Sequence, residues 1–233
     1  MAARTSRRSL AAVSRFLGVV VEVGDQQATR AFYEPIFRAA PTAGDWAQTD
    51  DLTYRAGGQR VTFAAKDEPR SLPESGQHQA YRVRADQVDV VVGTLERLGA
   101  RIDWWHEDPP SERRLMPYTS DPSGNRVQLV PATTPGGNLI DHVAIEVHDI
   151  ETAQVFYVAA LGGRVSYYHG RSVQHYLEGR AWGEGADPCA PWTRFWPGHG
   201  LSTNPRSRGS HSHPTQQAFY GFGDCTIGLI LAN

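Results

Sequence analysis

Three stretches of this chain follow one plan, and that repetition limits the fold more than any other feature. In each, apolar residues alternate along a short strand, a polar or glycine-containing break follows, and apolar residues then recur at helical spacing. The copies occupy residues 16–37, 78–102 and 139–165. In the third, alternation from Leu139 gives way at His148-Asp149 to a helical pattern that stops at Gly162-Gly163, and His142 sits on the strand. In the second, His78, Ala80 and Arg82 share one strand face and Gln79, Tyr81 and Val83 the other. A helix over residues 87–98 follows and ends at Gly99, a C-cap glycine. In the first, Gly24-Asp25 breaks a β-branched strand, and Ala28, Ala31, Phe32, Ile36 and Phe37 form a helical face that Pro35 is expected to end or kink near Glu34. Each unit leaves an apolar face that only another unit can cover, so the chain must pack as a set of strand–helix modules.

The intervening sequence supplies more strands. Residues 49–56 and 59–65 form a hairpin over Gly57-Gly58, residues 102–106, 115–119 and 126–130 read as strands, and Asp121-Pro122-Ser123-Gly124-Asn125 is a tight turn. A last hairpin covers residues 218–231 with Gly223-Asp224 at its turn. Residues 131–138, rich in Thr, Pro and Gly, mark the expected domain boundary. Three parts follow: a disordered tail at 1–14, a two-module domain at 15–132, and a third module at 139–233 interrupted by a long irregular insertion at 170–217. Loops of that length are functional or disordered, and the tryptophans in this one argue that part of it packs. Tyr176, Trp182 and Trp196 are expected to form a lid against a flat organic ligand. Of Trp104 and Trp105, adjacent on one strand, one must face inward, as core or as a ligand-stacking wall.

Composition narrows the function classes. A formal charge of -2 produces no field that gathers nucleic acid or an anionic membrane, and no run of 18 apolar residues is present. Two cysteines, Cys189 and Cys225, make no disulfide framework, which fits a reduced cytoplasmic protein. No nucleophile–His–acid pattern, phosphate-cradling glycine loop or carboxylate pair stands out.

The three strand–helix–strand units, the Asp121–Asn125 turn, and the Phe32-Tyr33 and Phe156-Tyr157 pairs together resemble the vicinal oxygen chelate superfamily, which includes glyoxalases, extradiol dioxygenases and bleomycin- and fosfomycin-related resistance proteins. The resemblance implies an α+β fold of repeated βαβββ modules curled into cup-shaped mixed sheets, one complete two-module domain plus a third module. It also implies a metal in the cup, held by a His on a module's first strand and a Glu, Gln or His on its last. Those positions fall on Gly18, His78 and His142, and on Thr62, Gln128 and Gly228. The implied metal ligands are therefore His142, in the context Ile140-Asp141-His142-Val143, with His78 and Gln128 in a separate cup built from modules one and two. Two functions are compatible with this set. One is a dioxygenase- or glyoxalase-like enzyme using Fe, Mn, Zn or Ni on a small oxygenated or aromatic molecule. The other is a metal-free protein that sequesters a small-molecule ligand. An odd module leaves a half-cup open, so a homodimer is expected, with module three pairing across the interface.

Overall fold

The computed structural model describes residues 15–43, 51–70, 77–106, 114–132, 139–148, 153, 155–169, 217–222 and 225–231. Module one comprises β1 (Gly18–Val23), α1 (Gln26–Phe37), β2 (Thr42–Ala43), β3 (Leu52–Ala56) and β4 (Gln59–Ala65). Module two comprises β5 (His78–Arg84), α2 (Val88–Arg97), β6 (Asp103–His106), β7 (Arg114–Ser120) and β8 (Arg126–Ala132). Module three begins with β9 (Ile140–Val147) and ends with β10 (Arg164–His169), β11 (Gln217–Phe222) and β12 (Cys225–Leu231). Among the described residues no helix is long and apolar enough to cross a membrane.

The helices begin and end for local reasons. Asp25 caps α1 by accepting the Ala28 N–H at 2.9 Å. Pro35 lies inside α1 without ending it, at the loss of the backbone bond its N–H would make to the Ala31 carbonyl, and the helix stops at Arg38, which adopts a left-handed φ of 53°. After α2, Gly99 takes the left-handed conformation, φ 86°, anticipated from its position. The helical part of module three departs from expectation. Residues Val155–Ala160 form a π-helix, with Gly163 N–H donating to the Tyr157 carbonyl at 2.9 Å. The two-residue strand β2 was not legible in the sequence, being too short to carry a period.

Strand pairing assigns the modules differently from the sequence reading. Module one has its own four-stranded sheet, ordered β1-β4-β3-β2. Modules two and three share one eight-stranded sheet, ordered β10-β11-β12-β9-β5-β8-β7-β6. The join is between first strands: β5 and β9 run antiparallel, with His78 opposite Ala144 and Ala80 opposite His142. Both edges of β9 are thus occupied within the chain, by β5 and β12, and the open half-sheet belongs to module one. Modules one and two meet instead through their helix sides. Val21, Phe32, Tyr33, Tyr54 and Phe63 share one core with Tyr81, Val91, Leu95 and Leu129. The Asp121–Asn125 turn fastens the same junction, since Asn125 Nδ2 donates to the Glu22 carbonyl at 2.9 Å and Gly24 N–H to Ser123 Oγ at 3.0 Å.

Candidate metal and ligand site

Register across the eight-stranded sheet sets the side chains in rows on one face. One row runs Gln128, Ala80, His142 across β8, β5 and β9. The next runs His78, Ala144, Gly228 across β5, β9 and β12. Directly opposed residues project to the same face, so the two histidines, Gln128 and Gly228 belong to one face of the sheet. The separation of His78 and Gln128 from His142 into different cups is therefore corrected: β5 carries module two's ligand positions to module three.

His78 Nε2 and His142 Nε2 are 3.0 Å apart. Two nitrogens bound to a common ion at about 2.1 Å and at right angles have about this spacing. The Nδ1 of His142 lies 2.9 Å from Asp141 Oδ2, and Asp141 Oδ1 accepts from Arg82 Nε at 2.9 Å. If its Nδ1–H is given to the carboxylate, His142 turns an Nε2 lone pair toward His78, the orienting arrangement found behind metal-bound histidines. Burial pushes the Asp141 carboxyl up, but its bonds to His142 and Arg82 outweigh this and hold it below the ordinary carboxylate range. If His78 Nε2–H donates to that lone pair, ion binding requires a change of tautomer at His78.

Gln128 stands in the same row as His142. It is 2% exposed, its Nε2–H₂ group donates to Met116 Sδ at 3.0 Å, and its Oε1 is buried without a hydrogen-bond partner among the described residues. Such an orphan acceptor costs about 1–3 kcal/mol unless something meets it, and a cation would. The donor set of two imidazoles and an amide oxygen fits a divalent ion. Among the described residues no cluster of three His, Cys, Asp or Glu is present.

Gly228 occupies the position in module three equivalent to Gln128. A Cβ there would stand 2.7 Å from the Phe219 ring, which also meets the His142 ring edge-on at 5.7 Å. Phe219 thus fills the space of a second last-strand ligand with an apolar wall. Gly228→Ala is expected to destabilise by about 1–3 kcal/mol through overpacking, and Phe219→Ala should remove most of that penalty in a double-mutant cycle measured by urea unfolding. Opposite, the Tyr118 ring meets His78 at 5.6 Å and carries the Arg126 guanidinium 4.9 Å from its centroid. Burial raises the Tyr118 hydroxyl well above the ordinary phenol range, with Arg126 opposing, so Tyr118 is a neutral wall.

The other expected ligand-binding residues divide. Trp104 packs against the core shared by modules one and two. Trp105 pairs with Met116 in the β6–β7 register. Tyr176, Trp182 and Trp196 lie outside the described residues. Phe219, Tyr118 and Asp141 were missed by sequence reasoning; only the hairpin register that sets Phe219 opposite Gly228 could have signalled the first. Cys225 is 1% exposed and burial pushes its thiol up to about 12, so it is no nucleophile at neutral pH.

No protein-family model and no curated protein sequence matches the chain. Solved structures do. Glyoxalase I from Zea mays superposes with a TM-score of 0.59 at 18% identity, covering 94% of this chain and 66% of that one. A glutamate-to-glutamine variant of the same enzyme gives 0.59 at 17% identity, covering 94% and 69%. A fosfomycin resistance protein from Listeria monocytogenes matches 50% of this chain and 89% of its own at a TM-score of 0.40 and 19% identity. The chain therefore spans about two thirds of the maize enzyme's length. Repeated modules whose first strands join antiparallel agree with that likeness, and the chain has the fold of glyoxalase I.

Proposed function

We propose that this protein is a divalent-metal enzyme of the vicinal oxygen chelate class, dioxygenase- or glyoxalase-like, acting on a small oxygenated or aromatic molecule. The observation that carries the reading is the convergence of His78 Nε2 and His142 Nε2 at 3.0 Å, with Asp141 behind one of them. His78, His142 and Gln128 would hold the ion, and its charge would stabilise negative charge developing on adjacent substrate oxygens. The chain's own residues do the rest. Asp141 and Arg82 fix the His142 ring, and the Phe219 and Tyr118 rings flank the two histidines as apolar walls. Metal analysis of the purified protein, followed by titration of the chelator-treated protein with Fe(II), Mn(II), Zn(II) and Ni(II), tests the proposal. One ion per chain is expected, and no binding of any of the four would overturn it.

A single observation favours the second reading, a metal-free protein that sequesters a small aromatic molecule: Phe219 lies over Gly228 where a further ligand would project. Ligand binding unchanged by chelator would establish it. Gln128→Leu separates the two roles of the amide. It should weaken metal binding by on the order of 10–100-fold, yet stabilise the metal-free protein by about 1 kcal/mol, because the unpaired buried oxygen is gone.

A further inference from the structure

We infer that module one's sheet is completed by a second copy of this chain, β1 against β1 of the partner, antiparallel about a two-fold axis at Val19. Leu17 and Val23 carbonyls accept from Arg60 and Lys66 on the β4 side. Backbone groups alternate in direction along a strand, so Gly18, Val20 and Glu22 direct theirs to the opposite edge. There Glu22's carbonyl is taken by Asn125 Nδ2 and Gly24 N–H by Ser123 Oγ, which closes the edge from residue 22 onward. No strand lies along residues 18–20 among the described residues.

What fits that opening is given by the chain itself. Modules two and three join through the corresponding residues of their first strands, His78–Ala80 of β5 against His142–Ala144 of β9. The sequences of β1 and β9 match in place: Val21-Glu22-Val23 and Asp25 correspond to Ile145-Glu146-Val147 and Asp149, which sets Gly18 on His142 and Val20 on Ala144. The same register applied to two copies of β1 puts Gly18 opposite the partner's Val20 and Val19 opposite the partner's Val19. Val20, 64% exposed, and Leu17, 49% exposed, are then covered, and Gly18 leaves room for the facing valine. An exposed β-branched edge is a liability in a monomer, and an isologous contact closes it without leading to fibres. The new eight-stranded sheet would hold Gly18 and Thr62 where modules two and three hold His142 and Gln128, so it carries no metal site. A Cβ on residue 18 would stand 2.1 Å from the Arg60 carbonyl oxygen, and a histidine cannot be restored there without moving β4.

Light scattering of the full-length protein at roughly 20 µM should give twice the chain mass of 25.7 kDa. Val20→Lys should give the monomer with its melting temperature and metal stoichiometry retained, whereas Val90→Lys, at an equally exposed valine on α2, should leave the dimer intact. Val19→Cys should form a disulfide-linked dimer on mild oxidation, because opposed residues of a non-hydrogen-bonded pair lie about 4.5 Å apart at Cα, within disulfide reach. The unsubstituted chain is the control. A monomeric parent protein, a dimer that survives Val20→Lys, or no cross-link through Val19→Cys would overturn the inference, and none of these depends on whether a metal binds.

Discussion

His142→Ala should lower affinity for a divalent ion by at least about 100-fold, and His78→Ala should do the same, because in the proposed site each would remove one of two imidazoles that share one ion. The double substitution should cost little more than either single one, since a site missing one such donor is already lost; this non-additivity distinguishes a shared site from two independent histidines. Asp141→Asn is the graded case. It keeps the shape of the side chain that faces His142 Nδ1 at 2.9 Å but removes the carboxylate that fixes the ring's tautomer, and a loss of on the order of 10–100-fold is expected. Calorimetric titration of chelator-treated protein reads all four variants. Equal affinity in the parent protein and His142→Ala would contradict the assignment of the site. The Arg82–Asp141 pair makes the prediction specific: Arg82→Met, which leaves Asp141 in place without its second partner, should fall between Asp141→Asn and the parent.

The sequence displayed the candidate site residues but not how they come together. His78, His142 and Gln128 stand out because each falls on a predictable strand of a repeated unit. Which units join is a different question, since β1 and β9 have nearly the same pattern and either could receive β5. The outcome is decided by contacts that no local period reveals. Arg82 reaches Asp141 at 2.9 Å across a separation of 59 residues, and the Ile140 N–H donates to Gln59 Oε1 at 2.9 Å across 81. These bonds seat β9 beside β5 and beneath module one. The same limit explains the two Phe-Tyr pairs. In module one Phe32 is 3% exposed and Tyr33 fully buried, whereas in module three Phe156 is 54% exposed and Tyr157 only partly covered, stacking on Tyr220. The repeat is equal in sequence and unequal in burial because α1 has α2 and a second module packed on it.

Tyr33→Ala should be the most destabilising single substitution in module one, costing about 3–5 kcal/mol in urea unfolding. The ring has no exposed surface and touches four other aromatic residues: Phe32, Phe37, Phe63 and Tyr81, with centroids 4.9, 5.6, 4.1 and 5.9 Å away. No neighbour can collapse into the space without abandoning one of those contacts, so the cavity term adds to the lost transfer energy. The hydroxyl contributes separately by donating to Asp121 Oδ2 at 3.1 Å. Burial raises the Asp121 carboxyl, while bonds from Asn125, Tyr33 and Ser123 draw it back, so Tyr33→Phe removes one of several donors and should cost only about 1 kcal/mol. A Tyr33→Phe penalty as large as that of Tyr33→Ala would mean that the Asp121 network, not ring packing, holds modules one and two together. Because Asp121 anchors the turn whose Asn125 and Ser123 cap the end of β1, that result would also tie the stability of the junction to the short edge at residues 18–20. If packing dominates, Tyr33→Phe should lower stability without changing the mass of the assembled protein, and the core and the edge act independently.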